Sequence, residues 1–182
     1  MTRYARNLSL IVLAVALGGC GFQLRGSSPV PEALQPLWVD CHDSVPFPLC
    51  QAVRAQVGAV AESRQDASYA LSLGDFRQRQ RTSAITLQGE AAEYDLRQTV
   101  TIVLLTRDGN PLLEETEVGA SQAYRFDETS VLAKRRERQE IERQLYDNLA
   151  RQISFRLSPF DQGRIDRTLE AGGEQPPGDS RP

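Results

Sequence analysis

The chain is 182 residues long, with 21 Lys and Arg against 24 Asp and Glu, a formal charge of −3 and 40% hydrophobic residues. That length suits one domain with one real core. The absence of a basic excess argues against nucleic acid as a partner, and no apolar run reaches the ~18–20 residues of a membrane-spanning helix.

Arg3 and Arg6 precede an apolar stretch, Leu8 to Leu17, in which Ser9 is the only polar residue. Positive charge followed by a short apolar segment is the pattern of a secretory signal. Leu17-Gly18-Gly19-Cys20 closes it and resembles the bacterial lipobox, in which the Cys thiol receives a diacylglycerol and the new N-terminus is acylated. A thiolate nucleophile needs an open, unbranched backbone, which Gly18, Gly19 and Gly21 supply. The alternatives are a plain apolar region that happens to end in Cys, or an uncleaved anchor. On the lipobox reading, residues 1–19 are the signal, 20–35 a lipidated tether, 36–158 the folded domain and 159–182 a disordered tail. Without Arg3 and Arg6 the balance is 19 basic to 24 acidic residues. Acyl chains contribute ~0.8 kcal/mol per buried CH₂, so two or more anchor a protein stably.

Gly26 to Pro31 has the composition of an extended linker. Leu37-Trp38-Val39 reads as a short strand. Cys41 and Cys50 are an even pair in an exported chain, so a disulfide is the first reading, worth ~2–3 kcal/mol for a loop of this size. Two free thiols or a metal pair are the other readings. A zinc site would need distant carboxylates, since His42 is the single histidine, and no metal site is expected. Leu49, Val53, Val57 and Val60 fall at helical spacing and predict a helix over 48–60, with Pro48 tolerated in its first turn.

Tyr69, Leu71 and Leu73 alternate with Ala70, Ser72 and Gly74, the period of a strand. That strand continues through Phe76 into Arg77, Arg79 and Arg81, which would share one face. Gln88-Gly89-Glu90 is a turn candidate. Tyr94, Leu96, Val100, Ile102 and Leu104 form the apolar face of the next strand, Asp108-Gly109-Asn110 a tight turn, and Thr116, Val118, Ala120, Tyr124 and Phe126 one face of the strand after it. Asp127 and Thr129 are capping candidates for a long helix whose Ile141, Leu145, Leu149, Ile153 and Leu157 recur every four residues; Ser158-Pro159 stops it. The order strand-helix-strand-strand-strand-helix predicts an α+β fold: a four-stranded, mostly antiparallel sheet with two helices on one face.

Catalytic motifs are lacking. There is no G-x-S-x-G, no phosphate-cradling glycine loop and no Ser/His/Asp set, so no enzyme and no cofactor are expected. Glu114, Glu115 and Glu117 read as a solvated strand edge. Two basic groups stand out: Arg77, Arg79 and Arg81 on one strand face, and Lys134, Arg135, Arg136 and Arg138 in the first turns of the long helix. Like charges along a strand are unfavourable unless an anion answers them, and cations sit poorly near a helix N-terminus. Each group is either an ordinary solvated face or a site for an anion, with phosphate matching Arg best.

The segment Cys20-Gly21-Phe22-Gln23-Leu24-Arg25-Gly26 resembles the mature start of the lipopolysaccharide-assembly lipoproteins called LptE. Ala52-Val53-Arg54, Ala92-Glu93-Tyr94 and Phe126 through Leu157, including Leu132-Ala133-Lys134 and Leu145-Tyr146-Asp147, extend the similarity over nearly the whole mature chain. The resemblance implies a small sandwich of four strands and two helices. It also implies an outer-membrane, lipid-anchored protein that plugs the β-barrel LptD and assists insertion of lipopolysaccharide, which it binds. Lys134, Arg135, Arg136, Arg77, Arg79 and Arg81 are then the candidate lipopolysaccharide contacts. Gly21 in place of an aspartate fits outer-membrane sorting. Cys41 and Cys50 depart from the family pattern, and Thr86, Leu87 and Gln88 lack the basic residue that would help a ligand site there. The rivals are an envelope-polymer enzyme and a purely structural, protein-binding lipoprotein.

Replacing the lipobox nucleophile, Cys20→Ala, is expected to abolish incorporation of labelled fatty acid and processing at residue 19. Label retained on the variant would contradict the lipobox reading.

Overall fold

The computed structural model describes residues 30–85, 91–125 and 131–173. Four strands form one sheet in the order β1-β2-β3-β4: β1 Leu37–Cys41, β2 Tyr69–Ile85, β3 Ala91–Thr106 and β4 Pro111–Arg125. The short β1 runs parallel to β2, and the other neighbours are antiparallel. Three helices accompany them: α1 Phe47–Gln56, α2 Val131–Leu157 and α3 Gln162–Gly173. This is the α+β architecture that the alternating patterns predict, with one helix more.

The core lies between one face of the sheet and α1 and α2. Leu71 and Leu73 of β2, Leu96, Val100, Ile102 and Leu104 of β3, and Val118 and Ala120 of β4 are buried against Leu49, Val53, Ile141, Leu145, Leu149 and Ile153. The four-residue recurrence along α2 and the two-residue recurrence along β3 are thus two halves of one apolar layer. Gln98 interrupts the apolar face of β3 yet is fully buried.

The edge strand β1 is guarded. Arg54 of α1 donates from Nη2 to the Val39 carbonyl at 3.1 Å. On the same strand, Leu37 N–H donates to Ala59 O and Ala61 N–H to Leu37 O, both at 3.1 Å. An unpaired edge invites pairing with foreign chains, and these bonds remove much of that hazard. Cys41 and Cys50 are joined, with Cα atoms 6.2 Å apart, which ties the end of β1 to the first turns of α1.

Three sequence expectations are corrected. The helix expected over 48–60 ends at Gln56, because Gly58 takes the left-handed conformation at φ +86°. Glycine just past a helix end is the common stop signal. Val60 leaves the helix and bridges Leu37. The tether expected to reach residue 35 enters the fold earlier: Val30 and Leu34 are buried, and Gln35 donates to the Val30 carbonyl at 3.2 Å. The tail expected to be disordered from residue 159 carries α3. Its Asp161 Oδ1 accepts the Arg164 N–H at 2.8 Å as a cap, and Phe160 and Ile165 are buried.

The Asp108-Gly109-Asn110 turn forms as expected, with Gly109 at φ +88° and Thr106 N–H donating to Asn110 O at 2.9 Å. The Gln88-Gly89-Glu90 turn, Phe126 and the caps Asp127 and Thr129 lie outside the described residues.

Ile102 is fully buried on β3. Ile102→Asp would bury an unpaired charge and is expected to cost more than about 3 kcal/mol. Denaturant unfolding checks this, and an unchanged midpoint would contradict the register of β3.

Candidate functional site

The row of arginines is set by a break in β2. Leu71 pairs with Leu104 and Leu73 with Ile102, so the odd residues of β2 face the helices at first. The pairing then shifts between Gly74 and Arg77, and Asp75 sits at φ +47°. Asp is among the few residues that tolerate this region. One extra residue on β2 reverses which face each following side chain takes. Phe76 turns inward against Tyr146 of α2, ring centroids 6.0 Å apart. Gln78 also turns inward and donates to Glu142 of α2 at 3.0 Å. Arg77, Arg79 and Arg81 therefore point away from the helices.

On that face, which carries no helix among the described residues, Arg77, Arg79 and Arg81 line a shallow cavity of about 270 Å³ together with Arg97, Asp95 and Glu117. Four cations meet two carboxylates there, in a chain whose net charge is −3. Register places Arg79 directly opposite Arg97, and Arg81 opposite Asp95. Among the described residues, none of the four guanidinium groups makes an ion pair or donates to a side chain. β4 contributes Gly119 and Ser121 beside Thr99 and Arg97. A Cβ at Gly119 would lie 3.2 Å from Thr99 Cγ2, a tight approach, and 3.6 Å from Arg97 Nη2, an ordinary contact, so glycine makes room chiefly for Thr99.

The helix group is placed differently. Residues 134–138 lie in the first turns of α2, on the other side of the sheet. Arg136 is exposed; the side chains of Lys134 and Arg135, like Cys20, lie outside the described residues. Arg138 is already paired, Nε to Glu142 Oε1 at 3.2 Å. Further along, Arg143 and Gln144 both donate to Glu140 and hold its carboxyl below the usual range, the Arg143 hydrogen bond contributing most. Burial pushes the Tyr124 phenol up, with Arg138 acting against it, and burial followed by Glu142 pushes up that of Tyr146. The structure does not bring the two basic groups together. Arg97 is the residue that sequence patterning passes over. It stands among alternating polar residues, and only the register sets it against Arg79.

A family model described as lipopolysaccharide-assembly, LptE, matches residues 34–157. The chain belongs to the LptE family. The LPS-assembly lipoprotein LptE of Yersinia enterocolitica is 30% identical over 173 residues, spanning 91% of this chain and 80% of that protein. Its namesake in Photorhabdus laumondii is also 30% identical, over 82% of each chain. Among solved structures, a minor lipoprotein from Acinetobacter baumannii superimposes with a TM-score of 0.58 at 23% identity, covering 71% of this chain and 94% of that one. A lipoprotein B from Nitrosomonas europaea reaches 0.63 at 17% identity, covering 81% and 96%. These two carry the fold. Membership makes this an LptE-family lipoprotein of lipopolysaccharide assembly and outer-membrane biogenesis, a non-enzymatic role in family terms.

Like charges directly opposed across two strands are destabilising by roughly 0.2–1 kcal/mol. Arg97→Gln removes one such pair and is expected to raise the melting temperature by about 1–4 °C at low salt. The gain should shrink at high salt, where exposed charges are screened. A lower melting temperature in calorimetry would mean that Arg97 is held by stabilising contacts instead.

Proposed function

We propose that this LptE-family chain is a non-catalytic subunit anchored through acylated Cys20 to the outer membrane. There it plugs and assembles the β-barrel LptD, binds lipopolysaccharide and assists its insertion into the outer leaflet. The observation that carries the reading is family membership over residues 34–157, with relatives named for lipopolysaccharide assembly along most of their length. Physical features support it. Among the described residues no helix is long and apolar enough to cross a membrane, and attachment through lipid on Cys20 rests on the lipobox-like run Leu17-Gly18-Gly19-Cys20. Lipopolysaccharide carries phosphate, which arginine forks match in geometry and charge. The candidate contacts remain Lys134, Arg135 and Arg136 on α2 and Arg77, Arg79 and Arg81 on β2.

Affinity purification of the tagged, lipidated chain from outer membranes tests the reading. LptD is expected to co-purify in near-equal amount, together with lipopolysaccharide. A chain that fractionates with the inner membrane and brings down no barrel would contradict it.

A further inference from the structure

We propose that the face of the sheet turned away from α1 and α2 is a phosphate-binding surface centred on Arg79 and Arg97 and flanked by Arg77 and Arg81. Its ligand carries two or more phosphate groups on a saccharide head, as a phosphorylated glycolipid does. The inference rests on the lipopolysaccharide-binding reading above and deepens it, because it selects one of two basic groups and adds a residue to it.

The arginine face is arranged as a fold alone would not require. The bulge at Asp75 turns three arginines outward onto one face. Register then sets Arg97 directly against Arg79 rather than against an acid. Like charges so placed repel unless an anion sits between them. Two carboxylates, Asp95 and Glu117, share the cavity, but among the described residues neither forms an ion pair with these arginines. Gly119 keeps the floor beside Thr99 low. Along β2 the row from Arg77 to Arg81 spans roughly 13 Å at ~3.3 Å per residue, long enough to meet two separated phosphates rather than one. Guanidinium groups bind phosphate oxygens in pairs of parallel hydrogen bonds. By contrast Arg138 on α2 is committed to Glu142.

The test uses the full lipidated chain in detergent and three probes: lipid A bearing two phosphates, the same lipid dephosphorylated, and inorganic pyrophosphate. The parent is expected to bind the phosphorylated lipid at least tenfold more tightly than the dephosphorylated one. Arg79→Gln/Arg97→Gln should lose at least tenfold for the phosphorylated lipid, lose nothing for the dephosphorylated one, and melt no lower than the parent. Arg79→Lys/Arg97→Lys should recover part of the loss, since charge returns without the fork. Arg156→Gln, an exposed arginine at the end of α2, should bind as the parent does. Competition by millimolar pyrophosphate supports a site that reads phosphate alone; failure to compete, with the lipid effects intact, supports one that needs the phosphorylated head group.

Equal binding of the phosphorylated lipid by parent and glutamine variant overturns the site while leaving the lipopolysaccharide reading standing. A parent that binds both lipids alike does the same. A parent that binds neither lipid, yet is stabilised by pyrophosphate where the glutamine variant is not, overturns the lipopolysaccharide reading and keeps the phosphate site. A variant that keeps lipid binding but no longer brings down the barrel makes this a face for an acidic protein surface, and overturns the proposal.

Discussion

One extra residue in β2 decides what each face of this sheet can do. Before Gly74 the odd positions, Leu71 and Leu73, are buried under the helices. Without the shift at Asp75 the same parity would carry Arg77, Arg79 and Arg81 toward α2. Burying unpaired cations there is far more costly than the local disturbance of a bulge. The bulge lets one strand serve two environments, an apolar half packed in the core and a charged half open to its surroundings.

The helix side of the rephased strand shows how the core gives way to polar contacts. Phe76 still packs on Tyr146. Beyond it, buried Gln98 donates to Gln78 at 2.7 Å, Gln78 donates to Glu142, and Arg138 pairs with the same carboxylate. This relay joins β3, β2 and α2 where apolar layers end. It also neutralises a cation of the α2 group locally, whereas the cations on the open face have no such partners among the described residues. Arg138 and the arginines of β2 read alike in sequence, and the difference between them arises from packing.

Much of the fold was legible because periodicity is a local signal. Leu96 to Leu104 on β3 and Ile141 to Leu157 on α2 bury the positions that their spacing implies, and Asp108-Gly109-Asn110 makes its turn. The misses have physical causes. Val60 continues the spacing of α1, but Gly58 stops the helix first. Composition marks the tail as disordered, while its Asp161 cap and the apolar pair Phe160 and Ile165 are enough to form α3. Residues 20–35 have the composition of a tether, yet the buried side chains of Val30 and Leu34 and the Gln35 contact hold the end of that segment. The arginine row was legible as a row. Its orientation and the opposing Arg97 were not, because a bulge and a cross-strand register are long-range facts.

The phase of β2 after Asp75 is therefore the point on which the site depends. Nuclear Overhauser measurements on isotope-labelled protein read it directly. The account predicts cross-peaks between the ring protons of Phe76 and Tyr146, and none from the Arg77 side chain to that tyrosine. Cross-peaks from Arg77 to Tyr146, with none from Phe76, would put the arginines under α2 and contradict the account.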